Sequence, residues 1–176
     1  KTNTARSNLY HMARIFQAYT YMILTDEYGD IPYSQGGAGY SDLIFFPKYD
    51  AQQAIYTDII KELTEATTGL NPAGTIEGSD VLYAGNVAKW KKFGYSVLLR
   101  AGMRLVKVDA TKAQATVQAA FAGGVITDNA DNAYMRHDAN YTQPMGGTLN
   151  GTEAANFYLT KPFVDQLKNT SDPRLS

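Results

Sequence analysis

The sequence contains no cysteine, which excludes disulfides, thiolate chemistry and cysteine-ligated zinc and removes redox usage as a clue to compartment. No run of apolar residues is long enough to span a bilayer. No basic block is longer than Lys91-Lys92, and 16 basic residues stand against 17 acidic ones. That balance leaves no electrostatic footprint for nucleic acid, and this partner class is set aside. The two histidines, His11 and His137, do not sit in a complete set of metal ligands, so neither a metal site nor a cofactor is expected. The opening Lys1-Thr2-Asn3-Thr4 is neither a secretory signal nor a start methionine, and the chain is expected to be a portion of a longer protein.

What is present is helical periodicity and tyrosine. The 176 residues are expected to form a single helical domain, 1–176, with a real core. Thirteen tyrosines against one tryptophan exceed what a core needs, and a ring with a polar tip favours wet, partly apolar contacts. Over residues 8–25, Leu9, Met12, Phe16, Tyr19 and Ile23 recur at three and four spacings and predict a helix capped by Ser7 or Asn8. It stops sharply at Gly29, which can take a left-handed conformation, and Pro32 holds Ile31 extended.

Asp50 and Gln53 have the form of a capping box for a second helix reaching about residue 68, with Ile55, Ile59, Leu63 and Ala66 on one face. Lys61 and Glu65 read as an exposed pair on it. Asn86 caps a third helix to about residue 108, with Trp90, Phe93, Val97, Ala101 and Leu105 on its stripe. Gly94 and Gly102 within it predict close approach of another backbone. Asp109 caps a fourth helix over 110–122, and Thr160 a short fifth over 162–169. A short strand is expected at 133–136. The 128–133 run has alanine where a calcium loop needs an oxygen ligand, which rejects an EF-hand. The fold class is therefore all-α, a set of stacked helical hairpins resembling irregular tetratricopeptide units, whose own period is about 34 residues.

Candidate functional residues gather in loops. Residues 30–49 form a long loop with Tyr33, Tyr40, Phe45, Phe46 and Tyr49, and loops of this length are mostly functional or disordered. Such a loop either packs as a flap or presents ring faces to a ligand. For a sugar, Tyr33, Tyr40 and Phe45 supply faces for C–H surfaces, while Gln35 and Asp42 supply polar partners. Asn140 and Tyr141 join them from a second long loop over 134–157. Ile44-Phe45-Phe46-Pro47 looks like an anchor, whereas Tyr40 and Asp42 follow a flexible glycine run, are flanked by polar residues and rank first as contacts. Arg100 and Arg104, one turn apart, either clamp a carboxylate or phosphate or hold loop carbonyls and acids; the second is favoured.

No nucleophile, base or metal constellation is assembled, and the chain reads as a binding module rather than an enzyme. A helical glycoside hydrolase using Asp26 or Asp30 with Asp42 is the catalytic alternative, requiring two carboxyls roughly 5 or 6.5–9.5 Å apart. A purely protein-binding helical repeat with an aromatic-poor concave face is the third.

Several blocks in order carry a family resemblance. They are Ala18-Tyr19 leading to Thr25-Asp26-Glu27-Tyr28-Gly29-Asp30-Ile31-Pro32-Tyr33, then Tyr49-Asp50-Ala51-Gln52-Gln53-Ala54-Ile55-Tyr56 with Glu62-Leu63. Tyr83-Ala84-Gly85-Asn86, Lys89-Trp90-Lys91-Lys92-Phe93, Leu98-Leu99-Arg100-Ala101-Gly102-Met103-Arg104, Asp131-Asn132-Ala133 and Asp172-Pro173-Arg174-Leu175 follow. In these the chain resembles the SusD/RagB family of outer-membrane nutrient-binding lipoproteins. Asn86 stands where that family often has aspartate, and the lipid-bearing cysteine and a large C-terminal segment have no counterpart here. The resemblance implies a lipid-anchored, cell-surface scaffold, its anchor outside this chain. It implies capture of glycans or other nutrients for a TonB-dependent, SusC-like outer-membrane transporter.

Overall fold

The computed structural model describes residues 6–137, 142–143, 156 and 158–175. Five α-helices are present among them: α1 Ser7–Tyr28, α2 Gln52–Gly69, α3 Val87–Arg104, α4 Ala110–Gly123 and α5 Lys161–Asn169. Among the described residues the fold is all-α, and β pairing is limited to one isolated antiparallel bridge, Ile31 to Asp50. Residues 133–136 run as irregular chain instead of the expected strand. The chain divides into two compact units, Lys1–Tyr134 and Met135–Ser176.

In the first unit each helix packs against the next, α1 on α2, α2 on α3 and α3 on α4, which gives the stacked helical hairpins. The core is drawn from Met12, Ile15, Met22, Ile55, Ile59, Leu63, Trp90, Phe93, Val97 and Leu98. An edge-to-face ladder of rings, Tyr19 to Phe93 to Trp90 to Tyr83, runs along it with centroids 5.9, 5.7 and 5.9 Å apart. In the second unit, α5 buries Leu167 and is followed by a 3₁₀ turn, Pro173–Leu175. Thr160 takes the N-cap position of α5 but makes no side-chain cap bond.

The helix ends follow local chemistry where local chemistry is strong. Gly29 closes α1 at φ 75°, Asn86 Oδ1 accepts from the Lys89 amide at 3.1 Å, and Asp109 Oδ1 accepts from the Lys112 amide at 3.0 Å. Where a distant segment offers a partner, the expectation shifts. Asn8 lies inside α1, 1% exposed, and its side-chain amide donates to the carbonyls of Asn71 and Thr75 while accepting from the Asn71 amide at 2.8 Å. It clamps the 71–75 loop instead of capping. Consequently the buried face of α1 is Asn8, Met12, Ile15, Ala18, Met22 and Thr25, rotated from the expected stripe, with Leu9 and Phe16 left 40% and 50% exposed.

Two more expectations are corrected. Glu65 pairs with Arg14 of α1 rather than with Lys61, and Arg14 also takes Glu62 at 2.6 Å. The third helix stops at Arg104, because residues 105–108 turn to deliver Asp109 to the start of α4, and Leu105 is only partly buried. Gly94 and Gly102 do mark close approaches, though to side chains rather than backbone. A β-carbon on Gly94 would lie 2.2 Å from Thr67 Oγ1, and one on Gly102 would lie 3.0 Å from Val117 and 3.1 Å from Thr116.

Candidate functional site

The 30–49 loop is a fixed structure built on its own base. The Asp50 amide donates to the Ile31 carbonyl at 2.9 Å, closing the loop as a ring. Inside that closure the Asp50 carboxylate accepts from the Ser34 amide at 2.6 Å, the Ser34 hydroxyl at 3.1 Å and the Tyr33 amide at 3.3 Å. The Lys48 ammonium stands 3.2 Å from Oδ1, the oxygen that also takes the Ser34 hydroxyl. These donors, the Ser34 amide foremost, hold the Asp50 carboxyl down at about 2. Asp50 is therefore the loop's clasp and not the cap of α2, as its spacing to Gln53 predicts. The cap comes from Asp30, whose Oδ1 accepts from the Gln52 amide at 2.9 Å.

Tyr33 is half-buried against Tyr21, edge to face with centroids 4.8 Å apart, and its hydroxyl donates to Asp58 at 2.7 Å. Burial and the Asp58 carboxylate both push that hydroxyl's pKa up. Gln35 receives the Lys48 amide on its side-chain oxygen at 3.0 Å, a second tie across the loop. Gly36 lies where a β-carbon would be 2.5 Å from the Tyr21 hydroxyl, so the ascending arm is pressed onto α1.

The tip is different. Tyr40 is 98% exposed and Phe46 96%, and Leu43, Phe45 and Tyr49 are each 71–72% exposed. Asp42 accepts from the neighbouring Ser41 hydroxyl at 2.8 Å and otherwise faces water. Leu43 sits at φ 58°, a left-handed conformation that costs a bulky residue free energy and persists only when its surroundings impose it. The structure thus brings Tyr40, Asp42 and Phe45 onto one displayed loop and places Tyr33 and Gln35 in the loop's foundation. Asn140 and Tyr141 lie outside the described residues.

The anchor expected at Ile44-Phe45-Phe46-Pro47 is not one. Ile44 and Pro47 are partly buried, while both phenylalanines point outward. Phe46 and Tyr49 are the members of this patch that sequence reasoning passed over. Composition cannot separate an anchoring ring from a displayed one, since the same apolar run serves either purpose.

The acids at the end of α1 hold structure together. Asp26 accepts from the Tyr56 hydroxyl and pairs with Arg104 at 3.1 Å, so one of the two arginines on α3 holds an acid, the favoured role. Asp30 caps α2, and Glu27 is exposed. Among the described residues no three His, Cys, Asp or Glu side chains gather as a metal site. No described helix is long and apolar enough to cross a membrane.

Several of the blocks that carry the family resemblance converge away from the loop. The Tyr83 hydroxyl donates to the Asp131 carbonyl at 2.8 Å, and Lys92 pairs with the Asp131 carboxylate at 2.6 Å, fixing the segment after α4 onto α3. Asp80, which sequence reading did not single out, accepts from the amides of Leu82, Tyr83 and Gly85 and from the Trp90 indole at 2.6 Å. It organises the turn ahead of α3.

Stacked hairpins of this kind, with a clasped loop tipped by exposed rings, make a helical scaffold. The chain belongs to the SusD-like family described as starch-binding and associating with the outer membrane, whose sequence model matches residues 1–176. No curated protein matches the chain. Among solved structures it is similar to a chitin-binding protein, with 33% identity and a TM-score of 0.87 over 99% of this chain and 37% of that one. It is also similar to a SusD-like protein of Bacteroidetes AC2a, with 32% identity and a TM-score of 0.85 over 98% and 34%. A SusD homologue from Bacteroides uniformis matches with 33% identity and a TM-score of 0.73 over 83% and 30%. The chain therefore spans about a third of the length of these proteins.

Proposed function

We propose that this chain is the scaffold portion of a non-catalytic, cell-surface binder that captures glycans or other nutrients. In this reading the whole protein is lipid-anchored in the outer membrane through a segment outside this chain and passes its ligand to a TonB-dependent, SusC-like transporter. The observation that carries the reading is the loop tip, where Tyr40, Phe45 and Phe46 stand exposed on a base clasped by Asp50. Rings held out of the core at a fixed base lose little entropy when a sugar face covers them. Asp42 beside them accepts from sugar hydroxyls. Membership of the SusD-like family and likeness to a chitin-binding protein support a glycan as ligand.

Calorimetry with chitin and starch oligosaccharides, with product analysis of the same mixtures, tests it. Tyr40→Ala is expected to weaken binding by about 1–2 kcal/mol with the melting temperature unchanged, and the oligosaccharides remain intact. Unchanged affinity with a lowered melting temperature refutes the site, and turnover of either glycan refutes the non-catalytic reading. Failure of the intact protein to co-purify with an outer-membrane barrel after gentle solubilisation refutes the transporter partnership.

A further inference from the structure

A recess in the first unit is lined by none of the exposed rings of the loop tip. The end of α1, the first two turns of α2 and the α3–α4 turn enclose a cleft of about 540 Å³ lined by Asp26, Gln53, Tyr56, Arg104, Val108 and Lys112, among others. That volume falls within the roughly 300–1,000 Å³ of small-molecule sites. Its charged groups are held in place but not used up. Arg104 reaches Asp26 through one nitrogen at 3.1 Å and remains 50% exposed, so the rest of its planar fork of donors is free. Lys112 spends one of its three protons on the Thr57 hydroxyl at 2.8 Å. Arg100, one turn before Arg104, has no carboxylate partner among the described residues, and its charge reaches the Tyr56 hydroxyl together with that of Arg104.

Two cationic heads with spare donors therefore face one recess, and a carboxylate satisfies both. The acids of the recess narrow the ligand further. Asp26 and Asp109 oppose a dianionic phosphate, but a hydroxyl-bearing ligand donates to them. Leu105 and Val108 add an apolar wall suited to the C–H face of a ring, Val108 being 79% exposed, and the Gln53 amide supplies a further polar contact. One negative charge, several hydroxyls and an apolar face together describe a sugar acid.

We propose that this cleft is a second binding site, for a uronic acid, with Arg104 and Lys112 taking the carboxylate and Asp26, Asp109 and Gln53 taking hydroxyls. The site does not depend on the aromatic loop and stands or falls independently of it. Amide-resolved NMR titration with glucuronate, glucose, acetate and a blocked aspartate tests it. Glucuronate is expected to shift the signals of residues 52–57 and 104–112, with each of the three comparison compounds at least about tenfold weaker, the size of one charge-assisted hydrogen bond. Arg104→Gln and Lys112→Gln are each expected to weaken glucuronate by about tenfold. Among the described residues the Lys112 ammonium is bound only to a surface hydroxyl, so its variant folds even where loss of the Arg104 pair disturbs Asp26. Equal response to acetate, glucose or the blocked aspartate overturns the proposal, as does a response mapped elsewhere or an affinity unaltered in Lys112→Gln.

Discussion

Asp30 caps α2 from 22 residues upstream, its Oδ1 accepting from the Gln52 amide at 2.9 Å. The same junction is tied a second time by the Gln52 side chain, which donates to the Thr25 carbonyl at 2.6 Å. The end of one helix and the start of the next are thus fastened directly, and the 20 or so intervening residues are free to serve as a displayed loop. Asp30→Ala is expected to cost about 0.5–2 kcal/mol, the usual loss for a removed cap, whereas Gln53→Ala costs under about 0.5 kcal/mol because no capping box exists. Urea denaturation of the two variants checks this, and a larger loss for Gln53→Ala refutes it.

Gly94→Ala sets two effects against each other. Alanine gains about 1 kcal/mol of helix propensity over glycine, but its β-carbon would fall 2.2 Å from Thr67 Oγ1 in a packed interface. The clash wins, and a net loss of about 1–3 kcal/mol is expected. Thr67 Oγ1 has no hydrogen-bond partner among the described residues, so Thr67→Ala removes the obstacle at little cost. In that background Gly94→Ala is expected to be close to neutral, and a double-mutant cycle with no coupling contradicts the contact.

Trp90 is 4% exposed, and its indole donates to Asp80 at 2.6 Å. Trp90→Ala is expected to lose about 3–5 kcal/mol through the cavity it leaves. Trp90→Phe keeps most of the volume but strips one donor from a carboxylate that organises the turn, for a loss of about 1.5–3 kcal/mol. An unchanged melting temperature for Trp90→Ala removes the ring from the core.

Asp50 gives the loop a pH signature. Its folded value of about 2 lies below the ordinary 3.8, so the folded chain binds fewer protons than the unfolded one between those values. The clasp's contribution is therefore fully present above about pH 4 and is lost as pH falls through about 2. A carboxyl-carbon titration of Asp50 is expected to show its midpoint near 2, and Asp50→Asn is expected to flatten the fall in stability across this window. A midpoint near 4 contradicts the clasp.

The sequence by itself determined the helices, the Gly29 stop and the Asn86 and Asp109 caps, because each is set by groups within a few residues of one another. The family resemblance was legible for a similar reason, being carried by contiguous blocks, and it holds over residues 1–176. The displayed tip was legible in part, since a glycine run flanked by polar residues pointed to Tyr40 and Asp42, while the run holding Phe45 and Phe46 read as an anchor although both rings face outward.

Tertiary structure decided everything that depends on partners far along the chain. α1 turned its Asn8–Thr25 face inward because the 71–75 loop and the Gly29 corner satisfy those polar side chains, which no hydrophobic pattern encodes. Asp30 took the capping role expected of Asp50, and Asp50 became the loop's clasp, because closure of the loop at Ile31 puts the Gln52 amide against the first and the Ser34 amide against the second. The cleft between α1, α2 and the α3–α4 turn exists only after Asp26, Tyr56 and Arg104 meet, since a carboxylate becomes part of a site through the charges packed around it and not through its neighbours in sequence.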